Sequence, residues 1–388
     1  MEQSQILRLT ERLRAELAER RSGAAPAAPA APAASAAGAT FTVPAARYLD
    51  AAWCERERAA LFRGPRIVAA SASLGEGACE PIDRADLAGA LVLRGPGGTL
   101  RAFANSCRHR GTRLVDAPCT ARALVCPYHA WTYDLTGALI HVPHAAAFPG
   151  VDLARRGLVP RPAVERHGLV WLGGDASGAL DVDAYLGELG PDLAALALDR
   201  YVVWRRARAT RRCNWKLVIE AFLDGYHIRV LHRDTIYRFF LDAAASAEPV
   251  GTHVRAVTGR RALETAPEDL SGLDLRQLVT PSFLLFPSTI LIEHPDFVSI
   301  MTVAPRGPDL SDWDHMMLIP AERAGEVEHW TRSWALIEEG VFQREDLWVC
   351  EQAQRGLEAG ATDEMLFGEL EEGARWFHGA IEAALGAR

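Results

Sequence analysis

The chain has 388 residues, of which 49% are hydrophobic and 24% charged, with a formal net charge of −8. That length holds two or three ordinary domains, and the acidic balance, with Lys and Arg spread along the chain, gives no footing for nucleic acid. No apolar run approaches the length of a membrane helix, because Pro, Gly or charge interrupts every candidate.

Residues 1–21 carry Ile6, Leu9, Leu13 and Leu17 at helical spacing with mixed charges between them, which predicts an amphipathic helix packed on its own or a neighbouring subunit. Residues 23–39 are low-complexity Ala/Pro sequence and read as a tether. Arg20-Arg21 before that stretch lacks the apolar core of an export signal. A helical pattern from Tyr48 to about Phe62 stops before Arg63-Gly64-Pro65. From Ile67 to about Asp175 short β-like runs alternate with turn signals such as Pro96-Gly97-Gly98, as in a small antiparallel β domain. Residues 214–232 are strongly helical in pattern. Three apolar runs between 280 and 320 read as strands of one antiparallel sheet, and 321–386 is helix-forming with a break near Gly360.

The seven cysteines are Cys54, Cys79, Cys107, Cys119, Cys126, Cys213 and Cys350. An odd number at irregular spacing is no disulfide framework, so reduced thiols in a cytoplasmic protein are expected. Two of them stand apart. Cys107-Arg-His109 and Cys126-Pro-Tyr-His129 are separated by sixteen residues, and each half supplies one thiolate and one imidazole. Cys107 and Cys126 on one iron with His109 and His129 on the other is the ligand set of a Rieske [2Fe–2S] centre. Structural zinc accepts the same atoms, but zinc fingers usually group Cys with Cys and His with His. Cys119, between the halves, fits neither.

A second constellation lies in Asn214–His232. His227 and His232 are candidates for the two imidazoles of a 2-His-1-carboxylate Fe(II) site. Positions five apart lie ~140° apart around a regular helix, so irregular backbone is expected between Tyr226 and His232. Asp224, three residues before His227, is placed to orient that imidazole. Glu220, one turn earlier, is placed to share or compete for a proton with Asp224.

The strings around Cys107–Leu114 and Cys126–Leu139, and Asp224-x-x-His227-x-x-x-x-His232, closely resemble the Rieske non-haem iron, ring-hydroxylating oxygenases, from about residue 41 to the C-terminus. That resemblance implies an α+β protein: residues 40–175 a small all-β Rieske domain, and 176–388 a helix-grip catalytic domain whose antiparallel sheet is covered by helices. Residues 1–39 form a separate helix and tether. By the resemblance Asp346 is the third iron ligand, with Glu345 and Glu351 pointing to solvent or in i,i+4 pairs. Asp224 then relays electrons from His129 of a neighbouring subunit to His227. A ring-shaped homotrimer follows, with or without a β subunit. By the same resemblance electrons come from NAD(P)H through a separate reductase, with or without a ferredoxin, since no Gly-rich dinucleotide motif is present. The reaction is hydroxylation or oxidative dealkylation of an aromatic or other small organic substrate. An electron-transfer or ligand-binding protein without oxygenase activity is the alternative. Ala221 stands where the family often has Asn, and Phe222, Leu223, Ile228, Phe239, Phe240, Ile290 and Ile292 are candidates for an apolar pocket.

Overall fold

A computed structural model describes residues 1–22, 40–87, 89–174, 178 and 180–386. The Ala/Pro tether at 23–39 and the expected boundary at 175/176 lie outside the described residues. The chain forms two compact units, Phe62–Tyr185 with Ala197–Val202, and Met1–Leu61 with Leu186–Leu196 and Val203–Arg388.

The second of these begins with a helix, Gln3–Ser22. Its apolar stripe is real: Ile6, Leu9 and Leu13 are buried. After it come strand β1 (Phe41–Pro44) and the helix Ala51–Leu61. Residues 40–61 therefore do not belong to the cluster unit, as expected from sequence, but to the catalytic one. The reason is pairing and burial. β1 runs antiparallel to a strand near the C-terminus, Phe41 opposite Phe367 with the rings stacked at 4.7 Å. Glu57 is buried, with its carboxylate 2.8 Å from Lys216 Nζ.

Among the described residues the cluster unit is mostly β, with short 3-10 turns and one helical turn at Val182–Leu186. Strands β2 (Pro65–Ala70), β3 (Ala78–Ile82), β4 (Ala90–Arg94), β5 (Leu100–Ala104), β6 (Cys119–Thr120), β7 (Ala123–Val125), β8 (Thr132–Asp134), β9 (Leu139–His141), β10 (Ala163–Arg166) and β11 (Leu169–Gly173) form three small antiparallel sheets. Their orders are β10-β11-β2, β5-β4-β3-β6 and β7-β8-β9. Leu91, Leu93, Phe103, Leu124, Trp131 and Tyr133 form one core, and Cys107 and Cys126 are part of it. Cys119 lies in register with Cys79 across β3 and β6. A buried carboxylate, Asp86, braces the unit between Arg66 at 2.9 Å and Arg84 at 2.8 Å.

The catalytic unit is built on a seven-stranded sheet. Strands β12 (Tyr201–Arg211), β13 (Phe240–Val250), β14 (His253–Arg260), β15 (Val279–Leu285), β16 (Thr289–Glu293), β17 (Val298–Gly307) and β18 (Leu310–Pro320) take the order β12-β18-β17-β16-β15-β14-β13. From β13 to β18 this is an antiparallel meander, as the apolar runs predicted. The N-terminal helix packs on β13 and β14, so close that a Cβ at Gly259 would meet Leu13 at 3.2 Å. Helices Trp215–Ala221 and Val327–Trp334, a π-type segment Ala335–Asp346, and helices Leu347–Glu358 and Glu372–Leu385 complete the unit, with β19 (Glu364–Phe367) after the expected break at Gly360. No described helix is long and apolar enough to cross a membrane.

Candidate metal centres

The two Cys/His loops are copies of one backbone design. In the first, which follows β5, Cys107 N–H donates to Thr112 O at 2.8 Å and Gly111 N–H donates to Cys107 O at 2.9 Å. In the second, between β7 and β8, Cys126 N–H donates to Trp131 O at 2.8 Å and Ala130 N–H to Cys126 O at 2.9 Å. Each loop turns through a left-handed residue, Gly111 at φ 75° and Ala130 at φ 55°. Asn105 holds the first loop shut, its Nδ2 donating to Val115 O at 2.7 Å while its Oδ1 accepts from Leu114 and Val115 N–H at 3.1 Å.

This design sinks both sulfurs and leaves both imidazoles at the surface. Cys107 and Cys126 are buried, whereas His129 is exposed and His109 half-buried. The imidazole centroids are 4.8 Å apart, His109 stacked on Trp131 and His129 on Tyr128. Burial pushes the Cys126 thiol up, but the backbone N–H groups of Tyr128 and His129 and the neighbouring Cys107 outweigh it, and the net pKa is lowered. A thiolate is the ligand form. Two buried sulfurs on one side and two imidazoles on the other fit an unsymmetrical two-iron cluster.

The second centre is assembled from three stretches of the catalytic unit. Asn214 caps the helix Trp215–Ala221, its side chain accepting from Lys216 N–H at 3.0 Å. That helix stops, the chain turns through Phe222–Tyr226, and a single helical turn follows at Ile228–Leu231. His227 and His232 flank this turn. The irregular backbone thus lies mainly before His227, not within the span to His232 as expected. One short turn places the two imidazoles at its ends, where their Nε2 atoms approach to 3.2 Å. Asp346, the last residue of the π-type segment, brings Oδ1 to 3.2 Å from His232 Nε2 and 3.8 Å from His227 Nε2.

Hydrogen bonding defines the tautomers. His227 Nδ1 faces Asp224 Oδ1 at 3.0 Å, and His232 Nδ1 faces Glu345 Oε2 at 2.7 Å. A carboxylate accepts, so each Nδ1 carries the proton and each neutral ring turns its Nε2 lone pair inward. Asp346 Oδ1 is buried and makes no hydrogen bond among the described residues. Three lone-pair donors converge on one point, which is unfavourable unless a cation joins them. Donors ~2.1 Å from a divalent ion and at right angles lie about 3 Å apart, close to the spacings seen. Without an ion the site attracts protons instead. Burial lowers the pKa of His232, but the nearby charge of Asp346 and the hydrogen bond to Glu345 raise it to about 9. For His227 burial is outweighed by Asp224, and the pKa is raised.

The donors open onto a cavity of about 270 Å³ whose wall includes Ala221, Phe222, Ile228, Ile292 and Phe342. Of the apolar candidates, Phe239 and Phe240 also line it, whereas Leu223 and Ile290 line a small adjoining void.

Residues 65–155 match the Rieske [2Fe-2S] domain, and residues 198–387 match the catalytic domain of the ring hydroxylating alpha subunit. The chain belongs to the Rieske non-haem iron oxygenase alpha subunits. It is 36% identical over 148 residues to the glycine betaine monooxygenase oxygenase subunit of Chromohalobacter salexigens, covering 38% of this chain and 33% of that one. It is 32% identical over 196 residues to the carnitine monooxygenase oxygenase subunit of Escherichia coli K12, covering 50% and 52%. The matches thus span about a third to a half of these relatives' length. Alpha subunits of chlorobenzene and biphenyl dioxygenases are also similar. In fold the chain resembles a quaternary ammonium Rieske monooxygenase with a TM-score of 0.77 at 20% identity, over 91% of this chain and 96% of that one.

Three acidic residues of this alpha subunit were misread from sequence. Glu345 does not point to solvent. It binds His232 and accepts from Thr235 Oγ1 at 2.7 Å. Glu220 does not share a proton with Asp224, because its Oε1 accepts from Tyr48 O–H at 2.7 Å and lies 2.8 Å from His378 Nε2. A Tyr from the N-terminal region and a His from the last helix carry no sequence signal that would link them to Glu220. Glu351 accepts from Arg212 N–H at 3.1 Å and lies 4.0 Å from Arg211, so its partners are distant in sequence, not i,i+4 neighbours.

Proposed function

We propose that the protein is the terminal oxygenase of a Rieske system, inserting oxygen from O₂ into a small organic molecule held in the cavity. The observation that carries this reading is that His227, His232 and Asp346 lie in the wall of an apolar cavity, so a metal there would meet a substrate and retain open positions. Fe(II) held by these three residues would supply O₂ activation at those positions, and the cluster at Cys107, His109, Cys126 and His129 would supply single electrons.

The chain's own residues do the positioning. Asp224 and Glu345 fix the two imidazoles with Nε2 inward, which also raises their basicity as ligands. Phe222, Phe342, Ile228 and Ile292 keep water from the reacting carbon and offer it an apolar bed. Asp224 has a second task in this reading, as the bridge to His129 of a neighbouring copy. Its Oδ1 takes all three of its bonds within the chain, from Tyr226 N–H, His227 N–H and the His227 ring. Oδ2 makes none among the described residues, and His129 is exposed. An exposed His129 and a half-buried Asp224 with an open acceptor oxygen support a closed ring of subunits joined head to tail. Reducing equivalents would come from NAD(P)H through a reductase, with or without a ferredoxin.

The test is a single turnover of dithionite-reduced, iron-loaded protein with ¹⁸O₂ across aromatic and N-methyl compounds. A labelled hydroxylated or dealkylated product is expected. Absence of label from every product, with iron present at both centres, would contradict oxygenation.

A further inference from the structure

We propose that Arg260 is the anchor for an anionic group of the substrate, so that the molecule this cavity accepts is a small carboxylate with an apolar body. The inference rests on reading the cavity as the oxygenase site and names the class of compound it holds. Arg260 is the last residue of β14 and lines the same cavity as the three metal-ligand candidates.

Its bonding is incomplete. Of the five N–H donors of a guanidinium, one is used, Nη1 donating to Thr280 Oγ1 at 3.2 Å. No carboxylate lies within 4.0 Å among the described residues. Asp296, another cavity residue, is engaged elsewhere, 2.6 Å from His329 Nε2 and 3.6 Å from Arg323. Burial lowers the Arg260 pKa, with the distant charge of Asp296 opposing. A half-buried cation without a counter-ion is costly, and an anion in the cavity would remove that cost.

The surroundings are those of an anion site. Thr258 and Thr280 face each other across β14 and β15 and both line the cavity. While Thr280 Oγ1 accepts from Arg260, its own O–H remains a donor. The guanidinium lies 5.9 and 5.3 Å from the ring centroids of Phe239 and Phe240. Those rings stabilise the arginine cation, and Arg238 lies over the Phe239 ring as well, at 4.7 Å. Phe222, Ile228 and Phe342 line the same cavity as His227, His232 and Asp346 and offer apolar contact there. A single ring with a short acidic arm suits a cavity of this volume.

Holo wild-type protein, Arg260→Gln and Arg260→Lys would be titrated calorimetrically with benzoate, phenylacetate and 3-phenylpropanoate, and with the amide of each. Thermal unfolding verifies that each variant is folded. At least one acid is expected to bind about tenfold or more tighter than its amide. That preference should vanish in Arg260→Gln and return in part in Arg260→Lys. The proposal is overturned if no acid outbinds its amide, or if the preference survives in Arg260→Gln. Labelled turnover separates the two readings. Oxygen insertion into neutral compounds with no acid preference would discard Arg260 alone. An Arg260-dependent acid preference without oxygen insertion would discard the oxygenase reading and leave the anion anchor.

Discussion

Three lone pairs meet at His227, His232 and Asp346, and the residues behind them decide how well a metal is held. Asp346→Ala is expected to remove the mononuclear iron while leaving the visible absorbance of the cluster unchanged, as metal analysis and absorption spectra would show. Glu345→Gln keeps the shape but weakens the acceptor at His232 Nδ1. Iron affinity should fall by about 10–100-fold, measured by metal-buffered titration; an unchanged affinity would mean that Glu345 does not orient the ring. Asp224→Asn should leave both centres occupied and slow turnover severely, and near-normal turnover would refute the relay to His129. His227, His232 and Asp346 were legible in the sequence because their spacing and surroundings repeat a family pattern. Glu345 was not. An acid beside a ligand in a helical stretch reads as solvent-facing, and its partner His232 lies 113 residues away.

At the scale of elements, the matched Cys/His loops differ in one respect that sequence alone did not rank. The left-handed position is Gly111 in the first and Ala130 in the second. A left-handed conformation costs a non-glycine residue roughly 1–2 kcal/mol. Ala130→Gly should therefore raise the stability of the cluster unit or leave it unchanged, and Gly111→Ala should lower it by about 1 kcal/mol, both read by urea unfolding. Asp86 gives the same unit an acid limit. Burial raises its pKa, yet Arg84 and Arg66 outweigh that and hold the carboxyl below its ordinary value. Its contribution is complete above the unfolded pKa near ~4 and is lost as pH falls through the lowered folded value. Asp86→Asn should flatten that part of the stability–pH curve. The strands of the meander were readable from alternation. The helix expected over 214–232 was not continuous: Asp224-Gly225 is a turn signal, and Asp224 Oδ1 accepts from the Tyr226 and His227 N–H groups, which ends one helix before His227 and starts the short turn that carries both imidazoles.

At the scale of the molecule, the least legible feature was which unit the segment before the first β run joins. Its helical period says only that one face is buried. The partner is Lys216, whose Nζ lies 2.8 Å from both oxygens of Glu57, while Trp53 and Trp215 donate to the same carboxylate at 2.7 and 3.0 Å. Removing one member of a buried pair leaves the other charge unpaired, so Lys216→Met should cost roughly 3–5 kcal/mol. The double variant with Glu57→Met should cost less than the sum of the two single changes, as chemical denaturation would show. The central claim, that one chain holds a two-iron cluster and a separate iron, is tested most directly by counting iron and acid-labile sulfide per chain in wild type, Cys107→Ser and His232→Ala, with electron paramagnetic resonance of the reduced protein. Cys107→Ser should lose the sulfide and the reduced-cluster signal, and His232→Ala should lose only the single iron. Zinc without sulfide at the Cys/His loops, or one substitution emptying both centres, would contradict it.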